Sequence, residues 1–238
     1  MKAVEDFSGD RHKAWCIQCG TTLVEQESNK DHVPSKGLLD KKYPAELPTV
    51  RICRACNSSF SSDEEYFIAF LGSVLAGTTD PDQQIVERAG KILSGNHRLQ
   101  DEIEDQLQVV PGPDGQDQVS FVPDTERVKN VVVKNARGHV YFEHGQPAFG
   151  EPDHVAVVPL AILNDEQRSA FMNVDYGNVW PEVGSRMMTR LSAGHDLDDG
   201  NWVVVQPGVY RYAVIDDGRF IVRIILREYL AAEVIWEQ

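Results

Sequence analysis

The sequence predicts an α+β chain in which a small N-terminal ββα module precedes a helical middle and a C-terminal antiparallel β-rich domain. Three observations carry this expectation. The only four cysteines stand as two Cys-x-x-Cys pairs, Cys16/Cys19 and Cys53/Cys56. Apolar residues recur at helical spacing between residues 67 and 107. The end of the chain strings together "NWVVVQ", "VYRYAVI" and "FIVRIIL", β-branched and aromatic runs divided by Pro207-Gly208 and Asp216-Asp217-Gly218 turn signals, as in an antiparallel meander.

The cysteines come first in the chain. In a reducing compartment, two such pairs with none left over read as one tetrahedral zinc site, because thiolates at this spacing wrap an ion from a tight turn and the ion stabilises a module too small for its own core. Two redox pairs or two disulfides are the alternatives, but nothing before Cys16 reads as the strand that a redox Cys-x-x-Cys follows. Between the pairs, "TTLVEQ" is expected as a short strand, and Pro34, Pro44 and Pro48 mark a loop before a return strand. Ser61 and Ser62 each stand three residues before a glutamate, Glu64 and Glu65, which is capping-box spacing, so a helix should be under way by Asp63. Knuckle, hairpin and helix together make a treble-clef-like ββα unit.

Phe67, Phe70, Leu71, Val74 and Leu75 then form a buried helical stripe. Asp80-Pro81 predicts the start of a second helix with Ile85, Ala89, Ile92 and Leu93 on one face, and Asn96 caps a third carrying Leu99, Ile103 and Leu107. The run "VVPGPDGQDQ" reads as a domain boundary. Beyond it, Asp124 suits the cap of a helix bearing Val128, Val131, Val132 and Ala136 and stopping near Gly138, with a strand as the alternative that three consecutive valines leave open. The expected division is a zinc-stapled module with its following helix over 1–78, a helical segment over 79–108, a linker over 109–123, and an acidic α+β domain over 124–238.

Charge separates these parts. The chain carries a net −14. Residues 1–60 hold nine Lys or Arg against eight Asp or Glu, which leaves −15 on the remainder. A polyanion would therefore be met by the N-terminal part, and the acidic C-terminal domain is expected to solubilise the protein or bind a protein partner. No apolar run is long enough to span a bilayer and the N-terminus lacks the pattern of a signal peptide, so no membrane association and a cytoplasmic location are the expectations.

The pattern "CIQCG…DHVPSKGL…ICRACNSSF" resembles the HNH endonucleases, in the subgroup whose ββα-metal core is stapled by two Cys-x-x-Cys pairs. The resemblance covers residues 14–66, roughly a fifth of the chain. It implies a metal-dependent phosphodiester hydrolase acting on nucleic acid, DNA being the expected substrate, in a mobile-element or defence setting. By resemblance, His32 is the general base that takes a proton from the attacking water. Asp31 and Asn57 hold a catalytic divalent ion, Mg²⁺ or Mn²⁺, and Lys36 and Arg54 meet substrate phosphates. These residue types suit the chemistry: imidazole is a competent base near neutral pH, and carboxylate and amide oxygens are hard donors. The four-cysteine zinc is structural, with all its positions filled. The family's middle Asn falls on Pro48, which has no amide; a shifted register, a backbone substitute and a site that no longer cuts are the readings this leaves. The alternative function is a zinc-stabilised, non-catalytic adaptor with a degenerate site. His12, His97, His139, His144, His154 and His195 show no ligand spacing, and "WPEVGSRMMTR" is the one candidate for a C-terminal contact surface, with Trp180 in a core and Arg186 and Arg190 paired to local acids as the favoured reading.

Overall fold

The computed structural model describes residues 2–4, 10–24, 27–111, 117–177, 180–193 and 196–237. Glu25 and Gln26 of the expected first strand, residues 112–116 of the expected linker, and His195 lie outside them. Helices and sheets are mixed, and the chain divides into two compact units, Met1–Ser59 with Val132–Gln238, and Phe60–Val131.

The first unit opens with β1 (Lys2–Val4), α1 (Asp10–Lys13), β2 (Ser28–His32), β3 (Glu46–Cys53) and α2 (Arg54–Ser59). β2 and β3 pair antiparallel, with His32 opposite Thr49 and Asp31 opposite Val50, and β1 adds to β3 in parallel. The described part of "TTLVEQ" forms no strand. Gly20, at φ 70°, turns the chain back directly after Cys19. The Leu23 N–H then donates to the Ala14 carbonyl at 2.7 Å, closing a knuckle. Leu23 is buried there while Val24 faces solvent.

In the second unit, α3 (Ser61–Ala76) buries Phe67, Phe70 and Leu71 as expected. Neither serine is the N-cap: α2 is followed closely by α3, and the residue between them, Phe60, takes that position with helical backbone (φ −79°, ψ −15°) in place of an extended cap. Asp80 caps only a single 3-10 turn, Pro81–Gln83. Gln84 is extended, α4 spans Glu87–Gly95, and Ile85 is exposed while Ala89 and Leu93 are buried. Asn96 caps α5 (His97–Asp105), its Oδ1 accepting from the Leu99 N–H at 3.1 Å. Leu107 leaves the helix to open β4 (Leu107–Pro111), which pairs antiparallel with β5 (Asp117–Phe121). Residues 109–111 and 117–121 of the expected linker thus belong to two paired strands, so part of it is a ladder and not a free connection. Tyr66 ties this unit together, its hydroxyl donating to Gln106 Oε1 at 2.9 Å and accepting from the Asp124 N–H at 2.7 Å.

α6 (Thr125–His144) begins in the second unit and ends in the first. Asp124 Oδ1 accepts from the N–H groups of Glu126 and Arg127 at 3.2 and 3.3 Å, the cap expected of it. The helix does not stop near Gly138. A Cβ on that glycine would sit 2.6 Å from Val33 Cγ2, so it is a close-approach residue inside the helix, and Tyr141 and Phe142 beyond it are buried. The stop comes at Gly145, at φ 72°.

The rest of the first unit is β6 (His154–Pro159), α7 (Asp165–Met172), α8 (Arg186–Ala193), β7 (Val203–Gln206), β8 (Tyr210–Asp216), β9 (Arg219–Leu226) and β10 (Leu230–Glu237). Five strands form one antiparallel sheet in the order β6-β10-β9-β8-β7. Both faces are covered. Ala213, Ile215, Ile221, Ile225 and Ala231 face a core with Leu160, Val174 and Trp202. Tyr210, Tyr212 and Phe220, on the other face, meet His139 and His144 of α6. Double burial is why these strands read as continuous apolar runs and not as alternation. Trp180 is 70 % exposed, against expectation.

Burial holds the His139 pKa well below its ordinary value, with Arg190 acting the same way, and burial also lowers that of His144 against the opposing charges of Asp216 and Glu143. Both imidazoles therefore take up protons less readily in the fold than in the unfolded chain, where they titrate near pH 6.5. Stability should be level above about pH 7 and fall from pH 6.5 downwards, by at most about 1.4 kcal/mol per pH unit for each histidine. Urea midpoints between pH 8 and pH 5 check this. A midpoint that holds or rises below pH 6.5 contradicts it.

Candidate functional site

The knuckle after α1 and the junction of β3 with α2 bring the four cysteines together. Their sulfurs all lie within 4.8 Å of one another, with Cys19 and Cys53 3.8 Å apart. A tetrahedral ion with bonds of about 2.3 Å to sulfur needs sulfurs about 3.8 Å apart, so the donor set fits a metal. Backbone N–H groups point at the sulfurs, from Cys53 to Cys16 at 3.3 Å and from Cys56 to Cys53 at 3.4 Å. Burial raises the Cys16 thiol pKa. At Cys19 burial acts upward too, but hydrogen bonds with Thr21, side chain and backbone, and with the neighbouring cysteines outweigh it and leave the thiol at about 7. Cys16 and Cys53 also belong to the core around Ile17, Leu23, Val33, Val50, Ile52 and Tyr141.

Asp31 and His32 are the last two residues of β2. His32 is half-buried, and its Nδ1 is enclosed without a hydrogen-bond partner among the described residues. Burial lowers its pKa, the charge of Lys36 lowers it further, and the Pro48 carbonyl works in the opposite direction. The imidazole is accordingly neutral at pH 7. Pro48, where the resemblance to the HNH endonucleases would place an amide, uses its carbonyl to accept the Val33 N–H at 3.0 Å, just beyond His32. The loop carrying the imidazole is thus tied to β3 by backbone.

Asn57 is half-buried on α2, an element packed against β2 and β3. Lys36 opens the 3-10 turn after the site. Arg54 is exposed and ion-paired with Glu27 at 2.6 Å. A groove of about 470 Å³ lies along the ribbon instead, lined by Lys13, Ser28, Asn29, Lys30, Thr49, Val50 and Arg51, with three cations and no acid.

Asp31 carries the neighbour that the sequence does not announce. Lys134 of α6 places its ammonium 2.9 Å from Asp31 Oδ2 and donates to Ser35 Oγ at 3.0 Å. The next residue, Asn135, accepts the Ser35 N–H at 2.8 Å. The one sequence signal for this is a lysine set within the apolar stripe Val131, Gly138 and Tyr141, where a solvated side chain has no place.

No family model matches the chain, and neither a curated protein nor a solved structure is similar to it. No helix among the described residues is long and apolar enough to cross a membrane.

Proposed function

We propose that residues 14–66 form a zinc-stapled ββα centre of the HNH type that hydrolyses phosphodiester bonds of nucleic acid, DNA first among its substrates. The observation that carries this reading is the cysteine cluster: it joins the knuckle to the β3–α2 junction and so frames the ribbon on which Asp31 and His32 stand. Zinc is the ion these four thiolates select, and it is structural. His32, neutral at pH 7, accepts a proton from the attacking water. The basic groove along β2 and β3 offers Lys13, Lys30 and Arg51 to the phosphate backbone, with Lys36 beside the imidazole. Divalent-ion chemistry of Mg²⁺ or Mn²⁺ on Asp31 and Asn57 is what the family resemblance implies. The Asp31 carboxylate does not fit that role, because a buried ammonium already stands against it.

A second reading is a non-catalytic zinc-stabilised adaptor that binds a protein partner through its acidic C-terminal part; the Asp31–Lys134 pair and Pro48 also suit a centre that no longer cuts.

Zinc-loaded protein is expected to nick supercoiled plasmid, and His32→Ala to abolish nicking while zinc content stays at one per chain. Labelled single-stranded DNA and RNA, assayed in parallel with and without Mg²⁺ or Mn²⁺, define the substrate. Cutting at the wild-type rate by His32→Ala removes the mechanism, and no cutting of any substrate by wild type leaves the adaptor.

A further inference from the structure

We infer that Lys134 is the resident cation of the Asp31 site, its ammonium standing where a divalent ion would need to be, so that Asp31 does not ligate a metal. The inference bears on the same centre as the proposed function but concerns only which cation Asp31 holds.

The pair is built in. The Lys134 side chain is 4 % exposed and that of Asp31 14 %, so the ammonium and the carboxylate face each other largely out of water. A second, doubly charged cation at this carboxylate would be repelled by the ammonium 2.9 Å away. Moving the ammonium aside would leave a buried charge without its partner. Nor does α6 have the freedom of a lid here, since three contacts flank Lys134. Asn135 holds the Ser35 N–H at 2.8 Å, Gln18 Nε2 donates to the Lys134 carbonyl at 3.1 Å, and Gly138 packs its backbone on Val33. Arg137 adds a bond to the Gln18 carbonyl at 3.0 Å. Lys134 is thus a positioning residue, too enclosed to reach substrate. It neutralises Asp31 and, through Ser35, holds the loop that follows His32.

The test reads Mn²⁺ uptake by zinc-loaded full-length protein, from the loss of the EPR signal of free Mn²⁺. Wild type and Asp31→Asn should give the same uptake curve. Lys134→Met should gain one equivalent, lost again in the Asp31→Asn/Lys134→Met double variant. An equivalent of Mn²⁺ bound by wild type and lost in Asp31→Asn overturns the inference, as does a folded Lys134→Met with no gain. Should Lys134→Met lose its zinc or its circular dichroism, the wild-type and Asp31→Asn curves decide alone. Uptake is read without any turnover, so failure of the nuclease reading, which rests on His32→Ala, leaves these curves standing and is told apart from failure here.

Discussion

Cys53→Ser is expected to release the bound zinc and to unfold the ribbon that carries Asp31 and His32. Cys53 is the last residue of β3, sits in the core with Cys16, and receives the N–H of Cys56 on its sulfur. Among the described residues the sheet beneath the site has three strands, and the knuckle is joined to the β3–α2 junction through a small shared core and the four clustered sulfurs. Structural zinc binds such cysteine sets with an apparent free energy of about 10–16 kcal/mol, most of which is folding free energy of the module. A serine cannot replace the thiolate. Elemental analysis should show zinc falling from one per chain to a trace, and limited proteolysis should cut within residues 14–59, which resist in wild type. Zinc absent from wild-type protein purified without chelators, or retained in full by Cys53→Ser, would refute this.

Arg190→Met should cost about 3–5 kcal/mol, the range for breaking a buried charge pair from one side. Glu143 of α6 is wholly buried and Arg190 of α8 nearly so. They meet as a two-pronged pair, Nε to Oε2 at 2.9 Å and Nη2 to Oε1 at 3.0 Å, and the Tyr212 hydroxyl donates to the same Oε1 at 2.6 Å. Methionine keeps the volume and removes every donor, leaving the carboxylate, among the described residues, with the tyrosine hydroxyl. Adding Glu143→Gln should recover part of the loss, since the unpaired charge is the main penalty. Urea denaturation of the single and double variants measures both steps. A single variant within about 1 kcal/mol of wild type would show that the pair is not what keeps Glu143 buried.

Features whose cause is local chemistry were legible in the residues themselves. The cysteine cluster follows from Cys-x-x-Cys spacing, because a turn of fixed length presents both sulfurs. Asn96 and Asp124 cap helices because a cap is a bond to a backbone N–H two or three residues on. The strands of the final meander show in their β-branched runs and turn residues. Where a local pattern misled, a neighbour in space had prevailed: Ser61 met a preceding helix in place of an extended N-cap, and Gly138, which looks like a helix stop, admits Val33.

Tertiary structure alone decided the partners of the buried charges. Arg190, expected to pair with local acids, reaches Glu143 as well as nearby Asp196. Lys134 meets Asp31 and Ser35, about a hundred residues away. A lysine's partner depends on which helix is pressed against which loop, and no pattern along the chain encodes that distance. So the sequence alone located the four cysteines that could hold a metal and set an imidazole and a carboxylate side by side between them. Which cation the carboxylate holds was settled only when α6 packed over the loop and buried an ammonium beside it, because a charge removed from water must take the nearest opposite charge the fold supplies.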